Sequence, residues 1–267
     1  MPTSPILLNK YYDEPSVFTP ENLLREARRQ KLLAQARVPR ICVLDPDGDI
    51  VRWLVRSKRG EHDPRWACYH TDLFTFTRDD MLFGIIGCAV GAPFAVLVAE
   101  ELFSSGCELL ISLTSAGQIV PIHNPPYFVL IEKALRDEGT SYHYLPPAEF
   151  SHIAPELLTM IDNLFTDTPV PVHRGATWTT DAPFRETASA IGHCRDLTIM
   201  AAEMEAAALY AFAEARQKPV ICLAHVTNRM ARIEGDFEKG TADGSQDALW
   251  VIALIAQAWM SHQPALG

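Results

Sequence analysis

Hydrophobic and polar residues alternate in blocks along the chain, and the blocks predict an ordered series of strands and helices. Short apolar runs, several of them typical of strands buried on both faces, predict strands at 40–49, 82–93, 107–113, 170–180 and 218–228. Apolar residues at helical spacing predict helices at 20–35, 95–106, 151–168, 201–213 and 243–260. Residues 126–147 predict a strand followed by a short helical turn. This succession of strand, tight turn, helix and strand predicts a partly parallel sheet with helices on its faces.

The predicted helix at 201–213, AAEMEAAALYAFA, begins with two carboxylates in an otherwise apolar run. Glu203 and Glu205 would lie about 200° apart on such a helix. They would flank a buried stripe made of Met204, Ala207, Ala208, Ala211 and Phe212. One interpretation is a solvated first turn, where carboxylates suit the positive end of the helix dipole. The other is that one carboxylate points into a cavity and binds polar groups of a ligand.

Composition narrows the class of protein. The chain has 267 residues, 48% of them hydrophobic, which suits a single domain over 1–267 in which 1–37 form an N-terminal extension and a helix packed on it. A net charge of −10 disfavours nucleic acid or a membrane surface as partner, because both require concentrated Lys and Arg. The apolar runs are shorter than a membrane span, and the first residues do not have the pattern of a signal peptide. Six scattered cysteines without a CxxC pair predict reduced thiols and a cytoplasmic protein.

The sequence matches none of the common motifs for cofactor binding or catalysis that we considered. The sequence contains no GxxxxGK[ST] loop, no HExxH, no GxSxG and no His/Cys spacing suited to zinc. We therefore expect neither a metal nor an organic cofactor.

Four segments in order carry a specific resemblance: GAPFAVLVAEELFSSG (91–106), SLTSAGQI (112–119), AEMEAAALY (202–210) and HVTNRM (225–230). Together they resemble the nucleoside phosphorylase superfamily, and the pairing of EME with VTNR is most similar to its uridine phosphorylase branch. The resemblance runs from residue 38 to residue 258, with 174–187 where the family has its base loop. It implies a three-layer α/β/α sandwich with a mixed, partly barrel-like sheet. It also implies an enzyme that cleaves the N-glycosidic bond of a small-molecule nucleoside, and a homo-oligomer, from dimer to hexamer, whose sites include residues of a neighbouring subunit.

The resemblance assigns the sugar to the EME segment. It implies that Glu205 binds the ribose hydroxyls and that Met204 packs on the sugar. The chemistry agrees, because an anion holding the hydroxyls stabilises the positive charge that develops on the sugar during cleavage. For Glu203 the resemblance favours a structural or dipole-stabilised carboxylate.

The resemblance assigns binding of the base to the end of the last predicted strand. In the resembling family the residues equivalent to Thr227, Asn228 and Arg229 approach the base, and Arg185 best matches an arginine that contacts a base carbonyl. The alternative for Arg185 is a plain surface residue. An Asn at 228, rather than the Asp typical of adenine-cleaving members, favours a pyrimidine or a 6-oxopurine, since an amide both donates and accepts hydrogen bonds.

The acceptor site departs from the family. Ser112 stands where the family has a phosphate-binding arginine, and His70 falls near the arginine that a neighbouring subunit contributes. The turn Leu44-Asp45-Pro46-Asp47-Gly48-Asp49 lacks the glycine and the arginine of the equivalent family turn. Ser115, on the turn that contacts acceptor and sugar in the family, suits either phosphate or water.

Two readings of the acidic turn remain open. Asp47 or Asp49 is a candidate general base for water, as in the nucleosidase branch of the superfamily, or the turn is simply an acidic Asp-Gly turn. Water is slightly preferred as the acceptor, and phosphate is the alternative as a co-substrate, with contacts from Arg52, Arg56 or Arg65. A non-catalytic nucleoside-binding relative is the alternative of another class.

Overall fold

The structure is a computed structural model that describes residues 4–166, 168–230 and 234–262. Within these residues ten strands join one sheet. The strands are β1 (Ile41–Asp45), β2 (Glu61–His62), β3 (Phe74–Arg78), β4 (Met81–Gly87), β5 (Leu109–Gln118), β6 (Tyr127–Asp137), β7 (Phe150–His152), β8 (Val172–Thr180), β9 (Ile199–Glu203) and β10 (Val220–Asn228).

The strand β5 is the junction of the sheet. It pairs in parallel with β1 and β10 and in antiparallel orientation with β9. From β10 the pairing continues through β6, β8 and β9 and returns to β5, so these five strands form a closed, barrel-like ring. The first part of β5 pairs with β1, on the same edge that pairs with β9 further along, and from β1 the sheet continues as an open sheet through β4, β3 and β2.

Helices cover both faces of this sheet. They are α1 (Pro20–Lys31), α2 (Asp49–Arg56), α3 (Ala92–Ser104), α4 (Pro155–Met160), α5 (Ala188–Asp196), α6 (Ala206–Arg216) and α7 (Ser245–His262). The connection from β1 to β4 and the connection from β4 to β5 cross the sheet in opposite directions, so right-handed crossovers put α2 and α3 on opposite faces. The helix α3 packs against α1 and α6, whereas α2 packs against α7. The predicted three-layer α/β/α fold with a mixed, partly barrel-like sheet is confirmed.

The N-terminal segment packs on the same body. Tyr12 donates a hydrogen bond to the carbonyl of Tyr142, and Leu24 and Ala27 of α1 pack on Ala67. Residues 1–3 of the predicted extension lie outside the described residues. No helix in the described part of the chain is long and apolar enough to cross a membrane.

Three predicted elements were wrong in extent. Residues 201–203 belong to β9 and α6 begins only at Ala206, because pairing with β5 and β8 outweighs the helical pattern of the alanines. The predicted helix 151–168, of which residue 167 is not described, is replaced by the end of β7, the short α4 and turns. The predicted strand 82–93 ends at Gly87, and its last residues, from Ala92, start α3.

A fourth difference concerns the end of α1. The helix ends at Lys31 rather than at 35, because Leu32 adopts a left-handed conformation with φ 56°.

Candidate functional site

The junction strand brings the predicted site segments together. The end of β1 and the end of β9 lie along one edge of β5, and β10 lies along the other. As a result the turn after β1, Ser115 on β5, the two glutamates at and just after the end of β9, and Asn228 at the end of β10 all lie around the same part of β5. Ligand sites in α/β proteins usually lie at the carboxyl ends of neighbouring strands.

Glu205 lies at the beginning of α6 and is almost completely buried. Its Oε1 accepts a 2.7 Å hydrogen bond from the backbone N–H of Gly91, and its Oε2 accepts a longer one, of 3.3 Å, from the N–H of Met204. Burial raises the pKa of Glu205 to about 8, the charge of Glu203 adds to the rise, and the Gly91 N–H and the Thr114 hydroxyl oppose it. The carboxyl group therefore keeps one oxygen available to a ligand.

Gly91, which holds Glu205, precedes α3 in a conformation that favours glycine. Its φ is 91° and its ψ is 148°. An L-residue in this region is strained, so the contact depends on a glycine here. In the sequence Gly91 begins the segment 91–106 of the resemblance, but nothing there gives it a role at the site.

Glu203 is also fully buried, but its oxygens are all engaged. Its Oε2 accepts 2.7 Å hydrogen bonds from the N–H groups of Glu205 and Ala206, and its Oε1 accepts from the hydroxyls of Thr177, at 3.1 Å, and Thr179. Burial raises the pKa of Glu203, and these hydrogen bonds oppose the rise. Of the two glutamates, only Glu205 has an oxygen left for a ligand.

Asp47 binds Ser115 through both carboxylate oxygens. Its Oδ2 accepts from the Ser115 N–H at 2.6 Å, and its Oδ1 accepts from the Ser115 hydroxyl at 2.8 Å. The turn is held by Asp45, which accepts from the N–H groups of Gly48, at 3.1 Å, and Val51, at 2.9 Å. Burial raises the pKa of Asp45 to about 7. Ser115 thus presents a pair of donors of the kind that binds an anion, and the protein's own carboxylate occupies them.

Asp49 has a different environment two residues later. Its carboxylate pairs with Lys239 and with Arg52. Burial acts to raise the pKa of Asp49, but the hydrogen bonds from Lys239 and Arg52 outweigh it and lower the pKa below its usual value. The structure therefore separates the two aspartates that the sequence left equivalent.

The predicted base residues are only partly brought together. Asn228 is buried beside the fully buried Thr227, and its Oδ1 accepts from the N–H of Met230 at 2.8 Å. The side chain of Arg229 instead donates to Asn124 at 2.8 Å. Arg185 is exposed on the turn Pro183–Arg185, and no hydrogen bond or ion pair in the described residues joins it to the site.

The remaining predicted residues occupy three different environments. Met204 is half-buried between the two glutamates. Ser112 is buried within β5, opposite Leu44 of β1. His70 is exposed near Phe94 of α3, with ring centroids 6.5 Å apart. Among the residues that the structure describes, no three His, Cys, Asp or Glu side chains are arranged to hold a metal ion.

Known sequences resemble this chain over much of its length. The family model of the phosphorylase superfamily matches residues 40–255. The uncharacterized protein R802 of Acanthamoeba polyphaga mimivirus is 30% identical over 132 residues, which cover 49% of this chain and 51% of that protein. A guanosine phosphorylase of Halorubrum lacusprofundi is 27% identical over 130 residues, which cover 48% of this chain and 54% of that protein. The matches therefore span about half the length of these curated relatives.

Solved structures show the same fold at low sequence identity. A uridine phosphorylase from Vibrio fischeri has a TM-score of 0.71 at 18% identity, covering 88% of this chain and 99% of that one. A purine nucleoside phosphorylase from Toxoplasma gondii has a TM-score of 0.70 at 16% identity, covering 86% and 94%. The 5′-methylthioadenosine/S-adenosyl homocysteine nucleosidase of Campylobacter jejuni has a TM-score of 0.66 at 16% identity, covering 82% and 99%.

Proposed function

Because the chain belongs to the phosphorylase superfamily, we propose that it cleaves the N-glycosidic bond of a nucleoside, with water preferred to phosphate as the acceptor. The match to the family model confirms the superfamily predicted from the sequence. The solved structures of the same fold include nucleoside phosphorylases and a nucleosidase, which supports the predicted class of enzyme. The base, the sugar and the acceptor are parts of this proposal. So is the assembly into a homo-oligomer, from dimer to hexamer.

The buried carboxylate of Glu205 is the observation that supports the proposal best. Its Oε1 is fixed by Gly91, and the hydrogen bond that its Oε2 accepts from Met204 is long, at 3.3 Å. Vicinal hydroxyls of a sugar would donate to this oxygen. In a buried site the carboxylate then stabilises the positive charge that grows on the sugar as the bond to the base breaks.

Asp47 supports water as the acceptor. A phosphate dianion would have to displace the Asp47 carboxylate from the donors of Ser115 and would meet its charge. A water molecule has no such conflict. In the proposed step water attacks the anomeric carbon and gives its proton to Asp47, while the electrons of the breaking C–N bond leave with the base.

The three arginines considered as substitute phosphate ligands are already paired. Arg52 binds Asp49 and the Asp47 carbonyl, Arg56 binds Asp243, and Arg65 binds Asp63. Phosphorolysis would require at least one of them to change partner. We keep it as the second candidate because the solved relatives named above include two phosphorylases.

The orientation of Asn228 supports a base with a carbonyl group. Its Oδ1 already accepts from Met230, and one N–H donates to Thr227 at 3.2 Å, so the unused group on the amide nitrogen is its second N–H, a donor. A donor at this position matches the carbonyl oxygen of a pyrimidine or of a 6-oxopurine. An amino group would meet another donor.

Base release from uridine, inosine, guanosine and adenosine, with and without inorganic phosphate, tests the proposal. We expect release from one or more of the oxo-bases without phosphate, and loss of release in Glu205→Gln. Release that requires phosphate would favour phosphorolysis. Tight nucleoside binding without release under either condition would favour a non-catalytic nucleoside-binding relative.

A further inference from the structure

The N-terminus of α6 is capped in an unusual way. Glu205 occupies the N-cap position, yet its side chain makes no capping hydrogen bond. An N-cap side chain normally accepts from the free N–H groups of the first helical turn. Here Glu203 accepts from the N–H groups of Glu205 and Ala206, and the Thr179 hydroxyl accepts from the N–H of Ala207 at 2.9 Å. The capping function therefore lies two residues before the N-cap.

The hydrogen bonds of Glu203 favour its ionised form and oppose the rise in pKa that burial causes. All four of its partners donate to it, two to each oxygen. The Thr179 hydroxyl donates to Glu203 while its oxygen accepts from the N–H of Ala207. A carboxylate with four donors is favoured in its ionised form. It also joins β9 to β8, since Thr177 and Thr179 lie on β8.

We infer that Glu203 is a positioning residue: by capping α6 it leaves the Glu205 carboxylate free to bind Gly91 and the ligand. The inference rests on the role proposed for Glu205. Without Glu203, the nearest anion able to satisfy the N–H groups of α6 is Glu205 itself, which would turn toward the helix and away from the sugar. Glu203 makes no contact with the ligand in this scheme.

The charge of Glu203 gives the inference a measurable signature. Two charged groups face Glu205: Glu203 from β9 and Asp47 from the turn after β1. Cys222 of β10 and Tyr210 of α6 also lie near the pair, but burial raises their pKa values well above the usual range and they stay neutral. Removing the charge of Glu203 should therefore lower the pKa of Glu205 from its value of about 8.

The test compares Glu203→Gln with Thr177→Val, which removes one hydrogen bond to Glu203 but leaves its charge. If Glu205 acts ionised, kcat/KM rises with pH through its pKa. We expect Glu203→Gln to lower the maximum of kcat/KM about tenfold or more and to move the rising limb about one pH unit lower. Thr177→Val should leave the limb in place. A limb that moves equally in both variants, or in neither, overturns the inference.

Two further measurements keep the outcome decisive. If Glu203→Gln does not fold, Thr179→Ser and Thr179→Val replace it: the serine keeps the hydroxyl and should keep activity, and the valine should lose it. Equal activity in the two would contradict the inference. If the unmodified protein releases no base, the proposed function fails, and infrared titration of the Glu205 carboxyl still tests the inference. Its midpoint should be lower in Glu203→Gln than in the unmodified chain.

Discussion

Asp47→Asn is the substitution that bears most directly on the acceptor. Asp47 holds the N–H and the hydroxyl of Ser115 at 2.6 and 2.8 Å, so its carboxylate lies where an acceptor anion would bind. The amide keeps the size of the side chain, removes its charge and retains one acceptor oxygen. It is a far weaker base, and it no longer repels an anion.

Both effects have predictable sizes. Loss of a general base typically lowers a rate by about 10²- to 10⁴-fold, so phosphate-free base release should fall within that range. At about 5 Å and an effective dielectric constant of about 20, each pair of unit charges interacts by about 3 kcal/mol. Relief of even half of the repulsion felt by a dianion should raise phosphate affinity by about 100-fold, since 1.4 kcal/mol corresponds to about tenfold.

The assay follows base release at several phosphate concentrations in Asp47→Asn and in the matched control Asp49→Asn. Asp49 pairs with Lys239 and Arg52, so its amide variant should affect phosphate affinity much less. We expect Asp47→Asn alone to lose phosphate-free release and to become sensitive to phosphate, by inhibition or by activation. Unchanged phosphate-free release in Asp47→Asn, or equal losses in both variants, would refute the role given to Asp47.

Three other predictions follow from the site. Glu205→Gln should lower kcat/KM by about 10²- to 10³-fold. It should also raise thermal stability above pH 8, because the amide removes a buried carboxyl whose pKa is about 8. Unaltered turnover would contradict the role of Glu205. Gly91→Ala should weaken activity and lower the free energy of unfolding, measured with denaturant, by about 1–3 kcal/mol, since a φ of 91° strains alanine. The control Gly192→Ala in α5, where a Cβ meets nothing within 4 Å, should be neutral or stabilising. Equal effects of the two substitutions would contradict the role of Gly91. The free energy of unfolding should fall as pH rises from about 4 to 8. The reason is that the folded pKa values of Asp45 and Glu205, about 7 and about 8, lie above their unfolded values of 3.8 and 4.5. Thermal melts across this pH range check the sign, and a rise in stability would contradict the prediction.

The motifs of the candidate site could be grouped from the sequence because they lie at strand ends. Residues 44–49 span the end of β1 and the turn after it, Ser115 lies near the end of β5, and Asn228 ends β10, so a correct order of strands brings them together. The strand β9 was missed, since its Ala-rich sequence has the spacing of a helix and gains its strand form only from pairing with β5 and β8.

Contacts between distant residues were beyond any local pattern. Gly91 binds Glu205 from 114 residues away, and Lys239 pairs with Asp49 from 190 residues away. The first contact fixes the carboxylate, and the second makes Asp49 unlike Asp47. Neither has a signal in the spacing of residue types along the chain.

The central proposal is that the buried carboxylate of Glu205 and a water molecule cleave the N-glycosidic bond of a nucleoside without phosphate. The most direct measurement is the release of free base from an oxo-base nucleoside in phosphate-free buffer, with the sugar product identified by mass spectrometry. We expect free ribose, not ribose 1-phosphate, at a rate that added phosphate does not raise. Ribose 1-phosphate as the sugar product, with no release in the absence of phosphate, would contradict it.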